Sequence, residues 1–242
     1  MDILFDIVIP VGPNDIDIIN IMINNTKKNI IGYRNIYLVS CNLNLSIEGC
    51  ITINEDIFPF DKSIISKFIG LNDRIGWYLQ QLIKLYAGTI ISGILNNYLV
   101  IDADTNFLKP TGFFKNKLPL YNTSNENHQP YFKHMSKLYP KLLKTSNYSG
   151  ICHHMLFQTN IINKLFTLVE NYHKKLFFEV FLSVIDENNI MGSGASEYEI
   201  YFNFLHIYYK DNFIIRQLKW ENTSAIHNNN NLDYISCHWY MR

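Results

Sequence analysis

Residues 98–104 read Tyr98-Leu99-Val100-Ile101-Asp102-Ala103-Asp104, a short apolar run that ends in two aspartates one residue apart. The apolar residues predict a buried strand of a parallel sheet, because such strands are covered on both faces and read as continuous hydrophobic runs. Open α/β sheets bind ligands beyond the carboxyl ends of their strands, where Asp102 and Asp104 fall. Since residues two apart in an extended backbone point the same way, both carboxylates are expected to face one site.

The segments on either side of this run alternate between strand and helix patterns. Strands are predicted at residues 5–11, 35–40 and 51–53, and helices at residues 16–27 and 74–87. After residue 118 the pattern is looser, with predicted helices near residues 160–172, 174–187 and 197–209 and predicted strands at residues 151–158 and 234–239. This alternation indicates an α/β fold whose central, mostly parallel sheet is flanked by helices.

The composition favours a folded chain. Hydrophobic residues make up 48% of the 242 residues and charged residues 17%, a balance that argues against disorder. The formal net charge is zero, so the basic surface that nucleic-acid binding requires is not expected. The four cysteines have no CxxC spacing, which predicts free thiols in a reducing compartment.

The sequence also predicts where the protein resides. The N-terminal residues 1–6 contain no Lys or Arg and do not read as a signal peptide. No apolar run approaches the roughly 20 residues that cross a bilayer. We therefore expect a single cytoplasmic domain over residues 1–242, with no membrane span and no nucleic-acid partner.

The acidic pair has the chemistry of a metal site. Two hard oxygen donors on one face suit Mg²⁺ or Mn²⁺, which also bind diphosphates. A second pair with this spacing, Asp15-Ile16-Asp17, opens a predicted helix, where acidic residues interact favourably with the helix dipole. We therefore interpret Asn14 or Asp15 as a helix cap, and Asp102 and Asp104 as metal ligands.

Two segments carry a resemblance to a known family, residues 76–85 and residues 98–110, which include the acidic pair. His153-His154-Met155 and Ser196-Glu197-Tyr198-Glu199 add shorter matches in the same order. Together they resemble a family of glycosyltransferases of bacteria and large DNA viruses and, more distantly, glycogenin-type transferases. The resemblance implies the GT-A fold, a Rossmann-like fold of nucleotide-diphospho-sugar transferases. Its nucleotide-binding half would span about residues 1–110 and its acceptor-side half about residues 111–242.

The resemblance also implies a reaction. The expected activity is transfer of a sugar from a nucleotide-diphosphate sugar, a UDP-sugar, to a hydroxyl of a glycan or protein-glycan acceptor. Mn²⁺ or Mg²⁺ would neutralise the charge that develops on the departing diphosphate. One alternative is a nucleotidyltransferase that builds sugar nucleotides, although Gly12-Pro13-Asn14-Asp15 lacks the Lys or Arg usual in those enzymes. The other is a catalytically silent sugar-binding module.

Donor contacts are expected from three segments. The turn Pro10-Val11-Gly12 resembles the loop that holds the nucleotide base in such enzymes, with an ordinary strand-to-helix turn as the alternative. Arg74 and Lys84 fall on one face of a predicted helix, and related enzymes contact the donor through a basic residue there. A solvated amphipathic face explains the same spacing. Asp102 and Ala103 complete the expected donor contacts.

Histidines are expected near the metal and the acceptor. His238, in the predicted closing strand, matches a C-terminal histidine that ligates the metal in several relatives. His227 is held in reserve, and a purely structural histidine is the alternative. His153 and His154 are candidates for acceptor contact. As neighbours on a predicted strand they point to opposite faces, so at most one is expected to line the site.

Glu197 is the predicted general base, which would take the proton of the acceptor hydroxyl in an inverting displacement. It follows the Gly-rich loop at residues 191–195, whose flexibility would let it approach an acceptor. Ser196 and Glu199 fit a capping box, which makes Glu199 structural and leaves Glu197 free. An exposed acid in the first turn of a helix is the alternative for Glu197.

Overall fold

The computed structural model describes residues 3–242, so Met1 and Asp2 of the N-terminal segment considered above lie outside the described residues. The strands are β1 (Phe5–Pro10), β2 (Ile30–Ile31), β3 (Tyr33–Ser40), β4 (Ile51–Asn54), β5 (Asn97–Ile101), β6 (Thr105–Phe107), β7 (Thr111–Gly112), β8 (Phe114–Lys115), β9 (Leu118–Asn122), β10 (His154–Gln158), β11 (Ile214–Arg216), β12 (Trp220–Asn222) and β13 (Tyr234–Ser236). The helices are α1 (Ile19–Asn29), α2 (Lys62–Ile69), α3 (Ile75–Ile90), α4 (Gln129–Leu138), α5 (Thr159–His173), α6 (Phe177–Ser183) and α7 (Glu197–Tyr208).

The central sheet has the strand order β4-β3-β1-β5-β10. The first four strands are parallel and β10 is antiparallel to β5, while α3 and α5 pack against the sheet. All of β1 and most of β5 are buried, as their continuous apolar sequences predict. The predicted α/β class with a mostly parallel central sheet is confirmed.

The order of the strands also creates a crevice. Because β3 and β5 lie on opposite sides of β1, the chain reverses its direction of winding between β1 and β5. At such a switch point the loops that leave neighbouring strands diverge, and a cleft opens at the carboxyl ends. The loops at this cleft are the ones that begin at Val11 and at Asp102.

Smaller sheets bring a distant segment back to this crevice. β6 begins at Thr105, directly after the acidic pair, and β13 runs antiparallel to it. The pairing continues past β13, where the Cys237 N–H donates to the carbonyl oxygen of Asp104 at 2.8 Å. His238 therefore lies beside the acidic pair although it is far from it in sequence.

The helix predicted at residues 16–27 begins later than expected. A short 3-10 helix takes up Pro13–Asp15, and α1 begins only at Ile19. Its N-cap is Ile18, which makes no side-chain capping bond. The interpretation of Asn14 or Asp15 as the helix cap is therefore wrong.

Two other boundaries shift because of left-handed residues. His153 has φ +61°, so the strand predicted from residue 151 begins only at His154. Lys174, at φ +58°, ends α5 in the left-handed conformation, and the helix predicted from that residue begins at Phe177.

The predicted closing strand at 234–239 ends at Ser236, and Trp239–Met241 form a 3-10 helix instead.

The packing of α3 on β5 depends on Gly88. A Cβ added there would lie 2.4 Å from the Tyr98 ring and 2.3 Å from the Thr159 hydroxyl, whereas Gly76 in the same helix has no neighbour within 4 Å of that position. We expect Gly88→Ala to lower the free energy of unfolding by about 1–3 kcal/mol through overpacking. Gly76→Ala should raise it by about 0.5–1 kcal/mol through helix propensity. Urea denaturation measures both, and equal effects at the two positions would contradict this packing.

Two further expectations can be compared with the structure. Cys41, Cys50, Cys152 and Cys237 are all free thiols, as predicted. Over residues 3–242, no helix combines the length and the apolar character needed to cross a membrane.

Candidate active site

The predicted acidic pair lies in the crevice at the carboxyl ends of β1 and β5. The Asp102 N–H donates to the carbonyl oxygen of His153 at 2.9 Å, and its own carbonyl accepts from the Thr105 N–H at 2.9 Å. These backbone hydrogen bonds fix the turn that carries both carboxylates. Asp102 and Asp104 therefore lie where an open α/β sheet binds its ligand.

Side chains from three other segments contact the carboxylate of Asp102. Its Oδ1 accepts hydrogen bonds from Lys84 Nζ and from the Tyr198 hydroxyl, the latter at 2.9 Å. Its Oδ2 lies 3.3 Å from Nδ1 of His153. Burial acts to raise the pKa of Asp102, but Lys84 and His153 outweigh burial and hold the pKa below its ordinary value. Asp102 is therefore a carboxylate anion held in one orientation.

Lys84 is buried between two carboxylates. Its side chain is 3% exposed, and Nζ contacts both Asp102 and Oε1 of Glu197, the latter at 2.6 Å. Burial disfavours the ammonium, but the two carboxylates outweigh it and raise the pKa of Lys84. The alternative of a solvated helix face is wrong for Lys84, because α3 packs against α7 there.

Glu197 is also buried, which excludes the alternative of an exposed acid. Ser196 caps α7 as predicted, its Oγ accepting from the Glu199 N–H at 3.3 Å. The Glu197 N–H donates to Oε1 of Gln81 at 3.1 Å, a second link between α3 and α7. Burial raises the pKa of Glu197, and the nearby Asp102 charge adds to the rise while Lys84 opposes it.

The predicted capping box is only half formed. Glu199 is buried, and its Oε2 accepts from the Asn203 side-chain amide at 2.7 Å. That bond lies within α7, one turn further along the helix. The Glu199 carboxylate therefore accepts from a side chain within α7, and not from the Ser196 backbone N–H as a full capping box requires.

The Gly-rich loop before α7 is held in place by three side chains. Arg74 Nη2 donates to the Ser193 hydroxyl at 2.6 Å, and the Tyr78 hydroxyl accepts from the Gly194 N–H at 3.1 Å. His128 Nε2 lies 2.9 Å from the Ser193 carbonyl oxygen. These hydrogen bonds join the loop to α3 and to the residue that precedes α4. The Arg74 guanidinium also stacks on Trp77, which packs against the core.

Asp104 forms its own set of hydrogen bonds. Its Oδ1 accepts from the Ser236 hydroxyl at 3.1 Å, and its Oδ2 lies 2.9 Å from Nδ1 of His238. Burial acts to lower the pKa of His238, but the hydrogen bond to Asp104 and the nearby aspartate charges raise it overall. The sequence prediction that His238 belongs with the acidic pair agrees with this geometry.

Asp15 is a site residue that the sequence interpretation missed. Burial raises the pKa of Asp15 to about 6, and the charges of Asp104 and Asp102 add to the rise. Arg242 binds its Oδ1 at 2.8 Å and also binds Asp17 at 3.2 Å. The position of Asp15 in the loop after β1 was the available signal, since this loop leaves the strand next to β5.

The donor chemistry of Asp104 and His238 fits a divalent cation. A carboxylate oxygen and an imidazole nitrogen lie 2.9 Å apart, and both side chains are partly exposed. Within residues 3–242, no group of three or more His, Cys, Asp and Glu side chains is placed to enclose a metal. A cation here would need oxygens of a substrate and water to complete its coordination, which is how Mg²⁺ usually binds with phosphates. Asp102 is less available, since its carboxylate is already neutralised by the Lys84 ammonium.

The two adjacent histidines have different surroundings, as predicted. His153 contacts Asp102, and its ring packs against the rings of Trp220 and His238, both at 4.9 Å between centroids. His154 is buried among aromatic rings, including Phe107. Burial holds the pKa of His154 well below its ordinary value. Only His153 can therefore line the site, and the prediction of acceptor contact by His154 is wrong.

The remaining predicted residues are placed as follows. Pro10 and Val11 are buried at the end of β1, and the Val11 N–H extends the sheet by donating to Val39 O at 2.8 Å. Their side chains therefore support the floor of the crevice. Both ring nitrogens of His227 are within 3.1 Å of neighbours in its own segment, Glu221 and Ala225, so this reserve ligand is not brought to Asp104.

Comparison with known proteins places the chain in a family. A solved structure that it resembles is the apo form of mouse xyloside xylosyltransferase 1, with 7% sequence identity, a TM-score of 0.44 and 97% of each chain covered. No curated protein matches the sequence. The family described as "Family of unknown function (DUF6492)" matches residues 46–240, which is most of the chain. The chain therefore belongs to this family of unknown function.

Proposed function

We propose that this protein is a metal-dependent glycosyltransferase of the GT-A type. It would move a sugar from a nucleotide-diphosphate sugar, a UDP-sugar, to a hydroxyl of a glycan or protein-glycan acceptor. The observation that carries the proposal is the position of Asp102 and Asp104 at the switch point between β1 and β5. His238 hydrogen-bonds to Asp104, and the buried Lys84 hydrogen-bonds to Asp102. Such a group of charged side chains is typical of a site that binds a charged ligand.

Asp104 and His238 would hold Mn²⁺ or Mg²⁺. Asp102, which is paired with Lys84, would contribute its negative charge next to them. When bound, the cation supplies Lewis-acid stabilisation of the leaving diphosphate. Lys84 keeps Asp102 ionised and in a fixed orientation, so the charge of the site does not depend on mobile groups. The turn at Pro10 and Val11 would receive the nucleotide base through its backbone, because both side chains are buried. Ala103 and Arg74 stay candidates for donor contact.

Glu197 is the proposed general base of an inverting displacement. Its Oε1 accepts from Lys84, and no other described side chain donates to Oε2, which leaves that oxygen to accept a proton. Its raised pKa moves it toward the range in which a carboxylate is an effective base near neutral pH. His153, beside Asp102, is the proposed contact for the acceptor.

The nucleotidyltransferase alternative is disfavoured by the loop after β1. Such an enzyme would need cationic groups there to bind a triphosphate, and residues 11–18 contain no Lys or Arg. A silent binding module would not need a carboxylate with a raised pKa such as that of Glu197.

A panel of nucleotide sugars assayed with Mn²⁺ and with EDTA tests the proposal. We expect one UDP-sugar to raise the melting temperature, because a ligand at 100 times its Kd adds about 2.7 kcal/mol of stability. The same sugar should be hydrolysed or transferred only with the metal. Formation of a nucleotide sugar from UTP and a sugar phosphate would support the nucleotidyltransferase. Binding without turnover under any condition would support the silent module.

A further inference from the structure

A groove of about 410 Å³ lies beside the candidate active site. We call it the Trp220 groove and define it by Thr123, Asn125, Gln217, Lys219, Trp220 and Leu232. Its volume is within the range of small-molecule sites, roughly 300–1,000 Å³. One wall is the loop after β9 and the other is the segment between β11 and β12.

The two walls are fixed to each other by a parallel strand pair. β9 and β11 end opposite each other, at Asn122 and Arg216. Directly beyond them, Gln217 Nε2 donates to the Thr123 hydroxyl at 2.6 Å. The groove therefore opens at the carboxyl ends of two neighbouring parallel strands, with a hydrogen bond joining its walls.

The Trp220 indole connects the groove to the acidic motif by way of His153. The Trp220 indole packs edge to face on His153, with the ring centroids 4.9 Å apart, and His153 contacts Asp102. The partly exposed indole also stacks on Tyr234, with the ring centroids 5.6 Å apart. A molecule in the groove would thus end close to the carboxylates at the switch point.

The lining of the groove is typical of a site for neutral hydroxylated ligands. Asn125 and Gln217 carry amides that both donate and accept, and Thr123 carries a hydroxyl, so they can bind hydroxyl groups in either role. Trp220 offers an aromatic surface for the C–H groups of a ring. Lys219 is the one charged residue among the lining residues, which is too little positive charge for a phosphate chain.

We infer that the Trp220 groove binds a neutral carbohydrate, the part of the acceptor next to the hydroxyl that is glycosylated. This inference rests on the proposed transferase function for its role. Trp220 would set the sugar ring against His153, and the two amides would read its hydroxyls. The groove offers an anionic saccharide only the Lys219 cation, and it offers no group of cations for the phosphates of a nucleotide.

The test uses saturation-transfer NMR of the full chain with methyl glycosides of neutral hexoses and pentoses, and with sialic acid as the anionic comparison. At least one neutral glycoside should give a signal in the absence of any nucleotide. Asn125→Ala and Gln217→Ala should each weaken its binding about 3- to 10-fold, the effect of losing a hydrogen bond. Asn171→Ala, an exposed asparagine on α5, is the matched control and should not.

Three results would overturn the inference: no signal from any neutral glycoside, stronger binding of sialic acid, or unchanged affinity in both groove variants. Nucleotide-sugar hydrolysis by the unmodified protein is measured alongside. If no nucleotide sugar is hydrolysed but the groove variants lose glycoside binding, the groove is a carbohydrate site and the transferase function fails. If a nucleotide sugar is hydrolysed but the groove variants bind the glycoside unchanged, the transferase function is supported and the carbohydrate site in the groove is contradicted.

Discussion

Replacing Lys84 with methionine is expected to lower the free energy of unfolding by about 3–5 kcal/mol, the usual effect of removing one partner of a buried ion pair. The variant leaves the buried Glu197 and the partly buried Asp102 with no cation between them. Donor binding should be lost as well, because the charge and the orientation of Asp102 depend on Lys84. Urea denaturation measures the first effect and calorimetry with UDP measures the second.

A double variant separates charge from packing. In Lys84→Met with Glu197→Gln, one of the two unpaired carboxylates is also removed, so part of the lost stability should return. Lys67→Met, at an exposed position of α2, is the matched control and should change stability by no more than about 0.5 kcal/mol. A Lys84→Met protein as stable as the control would mean that Lys84 is solvated after all.

Glu197→Gln is expected to lose transfer by roughly 10²–10⁴-fold while it keeps donor affinity, since a glutamine cannot accept the acceptor proton. Gln retains an oxygen for the Lys84 hydrogen bond, so the fold should be little changed. In the unmodified enzyme the rate should fall as pH drops through the raised pKa of Glu197, because only the carboxylate form is a base. This acid limb should be absent from the residual activity of the variant.

Glu199→Gln is the matched control on the same helix. Its carboxylate binds Asn203 and not Lys84, so the substitution should reduce stability and leave transfer nearly intact. The anomeric configuration of the product, read by NMR, is an independent check. Retention of configuration, or equal losses of transfer in the two variants, would remove Glu197 from the role of base.

Local patterns in the sequence were sufficient for the centre of the fold and for part of the site. The apolar run before Asp102 predicted both the buried strand and the position of the carboxylates at its end. Arg74 and Lys84 were placed on one face of the helix, and both contact residues 193–197. Periodicity, however, cannot tell a solvated face from one that meets a buried partner. The partner of Lys84 is Glu197, which is 113 positions away in sequence.

Other parts of the site could not be predicted because they depend on tertiary contacts. Asp15 was interpreted as a helix cap because the local sequence does not show its neighbours in space. The charge of Asp104 acts on Asp15 because β1 and β5 are neighbours in the sheet. The left-handed backbone of His153 leaves no periodic signal. The walls of the Trp220 groove follow strands as short as three residues, which are below the length at which alternation is readable.

Calorimetry of UDP binding tests the central claim most directly, that the acidic motif binds a nucleotide diphosphate through a divalent cation. We expect UDP to bind with Mn²⁺ present and to bind at least about tenfold more weakly in EDTA, a difference of about 1.4 kcal/mol. In Asp104→Ala the dependence on Mn²⁺ should disappear, because Asp104 and His238 are the proposed ligands. Equal affinity of the unmodified protein for UDP in Mn²⁺ and in EDTA would contradict the account.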